Sequence, residues 1–85
     1  MDAKEVQRLI EDRRFDELRD RLASIDGRAL RDVMDALGPV DRVIAFRLLD
    51  KDRAIDLFDG LDVDRQASLV SSMEDPEVLG LIEPL

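Results

Sequence analysis

Residues Leu49–Met73, LDKDRAIDLFDGLDVDRQASLVSSM, open twice in the same way. Leu49-Asp50-Lys51-Asp52-Arg53 is answered twelve residues later by Leu61-Asp62-Val63-Asp64-Arg65. Stepping by twelve in both directions from Leu49 lands on Ile25, Leu37, Leu61, Met73 and Leu85, and every one is apolar. A second pair of positions keeps the same time: Val33/Met34, Ala45/Phe46, Leu57/Phe58, Leu69/Val70 and Leu81/Ile82. Fixed self-similarity marks a repeat architecture, and twelve residues suits one short helix plus one tight turn. Helices of about ten residues are marginal alone in water and hold only by stacking on neighbours. Period-two alternation is absent and β-branched residues are sparse, so strands are not expected. The expected fold is all-α, a superhelical (solenoid-like) stack of about seven short helices on a roughly 12-residue repeat.

In chain order, helix 1 is expected at 3–12, with Val6, Leu9 and Ile10 on one face. Phe15, Leu18, Leu22 and Ile25 give helix 2, with Glu17 and Arg21 as an i, i+4 pair. Repeats then run from 25 to 85. Asp26 is the expected N-cap of helix 3, which buries Leu30, Val33, Met34 and Leu37. Gly38-Pro39 punctuates next, the glycine suited to a positive φ after a helix and the proline to a first helical position. Helix 4, with Val43, Ile44, Phe46, Leu48 and Leu49, is apolar nearly all round and belongs at the centre. Asp50 caps helix 5, with Ala54, Ile55, Leu57, Phe58 and Leu61 inward. Asp62 caps helix 6, with Ala67, Leu69, Val70 and Met73 inward. Asp75-Pro76 starts helix 7, whose Leu79, Leu81, Ile82 and Leu85 look like an unfinished end. Either these residues pack back on the core or, as is favoured, the natural chain continues past Leu85; two copies could also meet there as a homodimer.

The 85 residues suit one domain and include no cysteine and no histidine. That removes disulfides, thiolate chemistry, the commonest general base and the usual zinc ligands. The net charge of −8 is uneven. Residues 1–31 balance eight Lys/Arg against eight Asp/Glu, whereas residues 32–85 hold five against thirteen. Such acidity disfavours nucleic acid, whose phosphates need positive charge, and suits a cationic partner or a divalent metal. No apolar run reaches the roughly 18 residues of a membrane span. Phe15, Phe46 and Phe58 fall at core offsets. Arg13-Arg14 with Arg19 and Arg21 reads as a solvated face between interleaved acids. Ser71-Ser72 has no base nearby, and no enzyme is expected.

From Phe15 onward the chain resembles the N-terminal cytoplasmic domain of MgtE-type magnesium transporters and channels. The resemblance is carried by Phe15-Asp16-Glu17-Leu18-Arg19 with Leu22, by Leu48-Leu49-Asp50-Lys51-Asp52-Arg53-Ala54-Ile55-Asp56-Leu57-Phe58, by Leu61-Asp62-Val63-Asp64-Arg65-Gln66-Ala67, and by Met73-Glu74-Asp75-Pro76-Glu77-Val78. It implies a superhelix of short helices, also seen in parts of the flagellar motor switch. It further implies a cytoplasmic domain of an inner-membrane transporter that sits on a pair of CBS domains and senses Mg²⁺, the closed channel being favoured when Mg²⁺ lies between the two. The acidic position of the family's R-A-x-(E/D) helix falls on Asp56. A later family helix with further carboxylates would lie beyond Leu85, so the chain holds at most part of such a site.

Asp52, Asp56 and Asp59 lie at i, i+4 and i+7, one face of helix 5, and are the candidate metal ligands. Mg²⁺ keeps several waters and is typically held by one or two carboxylates, so an acidic face awaiting a partner's carboxylates meets its demand. A plainer reading competes with this. Asp50 and Asp62 are N-caps, Asp52 and Asp64 sit in first turns where the macrodipole favours negative charge, and Arg53 pairs with Asp56. A competing function, without metal dependence, is a helical protein–protein interaction module related to the motor-switch domains.

Overall fold

A computed structural model describes the backbone of residues 1–82 and the side chains of residues 1–80. Seven helices lie among them: α1 (Ala3–Glu11), α2 (Phe15–Ser24), α3 (Gly27–Ala36), α4 (Pro39–Leu48), α5 (Lys51–Asp59), α6 (Val63–Glu74) and α7 (Pro76–Ile82). The twelve-residue beat has a direct physical form. Ile25, Leu37 and Leu49 each terminate a ten-residue helix in extended conformation, with ψ of 154°, 150° and 148°. The next residue, Asp26, Gly38 or Asp50, is also extended and caps the following helix. A unit is therefore ten helical residues and two extended ones. At the next junction Gly60 ends α5 and Asp62 caps α6. The beat slips after that, because α6 runs through Met73 to Glu74.

Aspartate starts the helices as the sequence suggests. The Ala29, Arg53 and Arg65 N–H groups each donate to the side chain three residues back, Asp26, Asp50 and Asp62, at 2.8 Å. Asp2 does the same for α1, accepting from Glu5 N–H at 2.9 Å. Asp75 accepts from Glu77 N–H at 2.8 Å ahead of Pro76. Gly38 departs from expectation. Its φ is −71°, so positive φ plays no part, and it caps α4 with backbone alone. The extended conformation is the one a residue before proline is pushed into. Positive φ occurs instead at Arg13, 57°. There Arg13 N–H donates to Ile10 O at 3.0 Å and Arg14 N–H to Leu9 O at 2.8 Å, the paired bonds that close a helix through a left-handed residue.

From α1 to α4 each helix packs on the one two places along: α1 on α3, α2 on α4, α3 on α5 and α4 on α6. The all-α fold is as expected, and these pairings are compatible with the expected stack. Helix α4 also meets α1, α2 and α7, and its Val43, Ile44, Ala45 and Leu48 are buried, which puts it at the centre as its all-round apolarity demands. Helix α1 covers the first repeats with Val6 and Leu9 and keeps Lys4, Arg8 and Glu11 outside, the polar cap a helical stack needs. Phe15, Phe46 and Phe58 are half-buried against the core rather than inside it. Ile55 and Val70, expected inward, are 47% and 42% exposed, and Ala67 is exposed as well. On α5 and α6 the buried arc has narrowed to Leu57 and Leu69. At the far end Val78 is buried and Leu79 is 40% exposed, while the side chains of Leu81 and Ile82, and residue Leu85, lie outside the described residues.

Helix ends are also tied by side chains from other helices. Arg53 donates to the carbonyls of Leu22, at 3.0 Å, and Ile25, bridging α5 to the end of α2. Arg42 donates to the equivalent carbonyls one repeat on, Met34 at 2.9 Å and Leu37 at 2.7 Å. Gln66 Nε2 donates to Phe58 O at 2.8 Å, the same eight-residue reach as Arg42 to Met34. The expected Arg53–Asp56 pair is replaced by this clamp. The expected Glu17–Arg21 pair is replaced too: Arg21 reaches Glu5 on α1 at 3.0 Å, and Glu17 stands 3.9 Å from Arg14.

Two stability changes follow. Arg53→Met strips two part-buried carbonyls of a charged donor, and thermal or urea unfolding should show a loss of about 2 kcal/mol, with Arg53→Lys restoring only part of it. Gly38→Asn supplies the cap side chain that Asp26, Asp50 and Asp62 already supply elsewhere, in open space beside the glycine. It should gain about 0.5–1 kcal/mol in the same unfolding experiment.

Candidate functional site

The cap at Asp50 and the buried Leu57 fix the rotation of α5 about its axis. In that rotation Asp52, Asp56 and Asp59 are all exposed. Their spacing limits what they can hold. At 1.5 Å per residue, Asp52 and Asp59 are about 10 Å apart along the axis, too far to share one Mg²⁺ whose ligands sit about 2.1 Å away. Neighbours at i, i+3 or i+4 are about 5–6 Å apart and can. Helix α5 therefore offers one cation two carboxylates at most, either Asp52 with Asp56 or Asp56 with Asp59. Among the described residues no group of three or more acidic side chains gathers in a way that could hold a metal. Any fuller ligand set has to be completed from outside this helix, by water or by a partner.

Asp56 differs from its two neighbours. It borders a groove between α3 and α5, lined also by Gly27, Leu30, Arg31, Arg53 and Leu57. Arg53 is turned to the α2 carbonyls, and Arg31 lays its guanidinium over Gly60, where an added Cβ would come within 2.5 Å of it. Two guanidinium groups at the edge of this groove supply positive charge that a metal at Asp56 would have to displace or tolerate. Asp52 and Asp59 lie outside the groove lining.

The remaining charges are mostly placed by the fold. Asp50 and Asp62 are caps, and Asp52 and Asp64 occupy first turns, as the plainer reading of the aspartates has it. Arg65 crosses from α6 to Asp35 on α3 at 2.5 Å, and the hydrogen bond and charge of Asp35 hold its guanidinium further on the protonated side. The pair closes a small cleft of about 100 Å³ lined by Met34, Asp35, Arg42, Leu57, Leu61, Arg65 and Leu69. The sequence reading missed Arg42, Gln66 and this cross-helix pair. The eight-residue interval shared by Met34–Arg42 and Phe58–Gln66 was the signal available for the first two. Around Arg13, Arg14, Arg19 and Arg21 the interleaved acids do pair with the arginines, Arg14 with Glu17 and Arg19 with Asp16 both at 3.9 Å.

These features define a small α-helical repeat domain with capped, clamped junctions and an acidic outer helix. The chain belongs to the family of the MgtE intracellular N domain, whose model matches residues 26–85, well over half of its length. The match begins at the α3 cap, so the α2 part of the resemblance, Phe15–Leu22, stands outside it. No curated protein and no solved structure matches the chain. No helix of the described residues is long and apolar enough to cross a membrane.

One acid away from α5, Asp41 of α4, is disfavoured in its charged form. Partial burial, and then the negative charge of Glu11 on α1, raise the Asp41 carboxyl above its usual value despite its place in the first turn of α4. The folded state thus binds a proton here more tightly than the unfolded chain. Stability falls as pH rises through the interval between the two values, and the loss persists at neutral pH. Asp41→Asn should therefore raise the melting temperature more at about pH 7 than at about pH 3, read by circular dichroism at matched ionic strength.

Proposed function

We propose that this chain is a cytoplasmic, non-catalytic regulatory domain of an MgtE-like Mg²⁺ channel, acting through Mg²⁺-dependent contact with CBS domains. The family match over residues 26–85 carries the reading. The exposed carboxylates of α5 support it. Asp52, Asp56 and Asp59 repel any acidic surface brought against them, and a bound Mg²⁺ supplies the counter-charge that lets the two surfaces close. With only two carboxylates of α5 in reach of one ion, the ligand set is shared between the domains, and the isolated chain holds Mg²⁺ weakly.

One observation favours the metal-independent interaction module instead. Several polar residues of the matching motif, Asp50, Arg53, Asp62 and Gln66, are engaged as caps and clamps within the fold. On that reading the motif preserves the stack, and docking needs no cation.

An amide-resolved titration with Mg²⁺, with K⁺ at matched ionic strength, separates the two when run with and without a CBS-domain pair from the family. The expected result is weak Mg²⁺-specific shifts at Asp52–Asp59 for the chain alone. Association with the CBS pair should tighten at least about tenfold in Mg²⁺ and lose that gain in Asp52→Asn/Asp56→Asn/Asp59→Asn. Equal association in K⁺ and Mg²⁺ would transfer the assignment to the interaction module.

A further inference from the structure

The burial of the repeated pair changes along the chain. Its first member is buried in every repeat described: Val33, Ala45, Leu57 and Leu69. Its second member drifts outward, from buried Met34 through half-buried Phe46 and Phe58 to exposed Val70. The packing order explains the drift. Helix α5 covers α3 and α6 covers α4, whereas α7 turns back onto α4 and α6. Among the described residues nothing stands to α6 as α6 stands to α4. Val63, Ala67 and Val70, at i, i+4 and i+7, consequently form an exposed apolar strip, with Val63 at 77%. With Phe58, Gln66, Ser71 and Glu74 they line one open groove.

The strip has the geometry of a missing neighbour, and the repeat says that the neighbour is a helix. Charge says which kind. Asp62, Asp64 and Glu74 on or beside α6 are exposed and negative, as is Asp59 at the end of α5. The one cation of α6, Arg65, is turned away to Asp35. A second copy of the chain would bring the same acidic rim against itself, since a two-fold contact pairs a patch with its own image. We propose that the Val63–Ala67–Val70 face of α6 docks a cationic amphipathic helix, one whose apolar stripe is edged by Lys or Arg, laid on α6 as α6 lies on α4. The patch is small, and the affinity is set by the match of charge as much as by apolar area. Asp59 edges both this surface and the α5 carboxylates, but the apolar strip lies on α6 and the proposal does not rest on the metal reading.

The test uses the whole chain and a synthetic helix of about 18 residues, long enough to be helical in water, with Leu at i, i+3, i+4 and i+7 and Lys on both flanks. A twin carries Glu on the flanks. The Lys-flanked peptide should shift amides across residues 63–71 and bind at least about tenfold more tightly than the twin at low salt. Val63→Ser/Val70→Ser, both at exposed positions, should keep the melting curve and weaken that binding about tenfold. Equal binding of both peptides, or no binding, would overturn the proposal. So would shifts confined to Asp52–Asp59, which would mark charge attraction without docking on the strip. Self-association of the chain in sedimentation, lost in the double variant, would instead assign the face to a second copy.

Discussion

A helix of nine to twelve residues is mostly ends. Its first four N–H groups and last four carbonyls have no partner within it, so in this chain nearly every backbone group near a junction needs an external answer. The fold is organised around supplying those answers. Asp2, Asp26, Asp50, Asp62 and Asp75 each take up an N–H at a helix start. Arg53, Arg42 and Gln66 reach the carbonyls at helix ends. Apolar packing draws the helices together, and the junctions make the stack tolerable to its own backbone. Five of the aspartates that give the chain its acidity are thus structural caps.

This explains how much could be read from the sequence. An aspartate cap acts within three residues, so Asp26, Asp50, Asp62 and Asp75-Pro76 were legible as boundaries. The twelve-residue beat was legible as a repeat, but not that Ile25, Leu37 and Leu49 are the extended residues closing α2, α3 and α4. The clamps act across helices. Arg53 answers carbonyls 28 and 31 residues earlier, and no local pattern distinguishes that from an i, i+3 pair with Asp56. Arg21 likewise chose Glu5 on a neighbouring helix over Glu17 on its own. The outward drift of Val70 was hidden for a related reason: a repeat reports the positions that can be buried, whereas actual burial depends on which neighbour arrives.

The candidate site divides along the same line. That Asp52, Asp56 and Asp59 share a face follows from helical spacing alone, and they are exposed as that spacing and the buried Leu57 require. The surroundings of Asp56 do not follow from spacing. Arg31 comes from α3, and Arg53 is held at the groove edge by its bonds to α2. Within one stretch of the family match, Arg53 secures the stack through the α2 carbonyls while Asp56, three residues on, faces solvent at the groove edge.

The reach of Arg53 also bears on how the molecule comes apart. Linear helical repeats are usually coupled only to their nearest neighbours, so they can fray from one end in steps. Here α5 is tied to α2, and α4 touches both α1 and α7. Loosening one helix removes hydrogen-bond partners from another three places away, which penalises half-melted forms. So short an array with such ties is placed to melt as one cooperative unit, with α1, attached through the left-handed turn at Arg13, sharing in that unit through its contacts with α3 and α4.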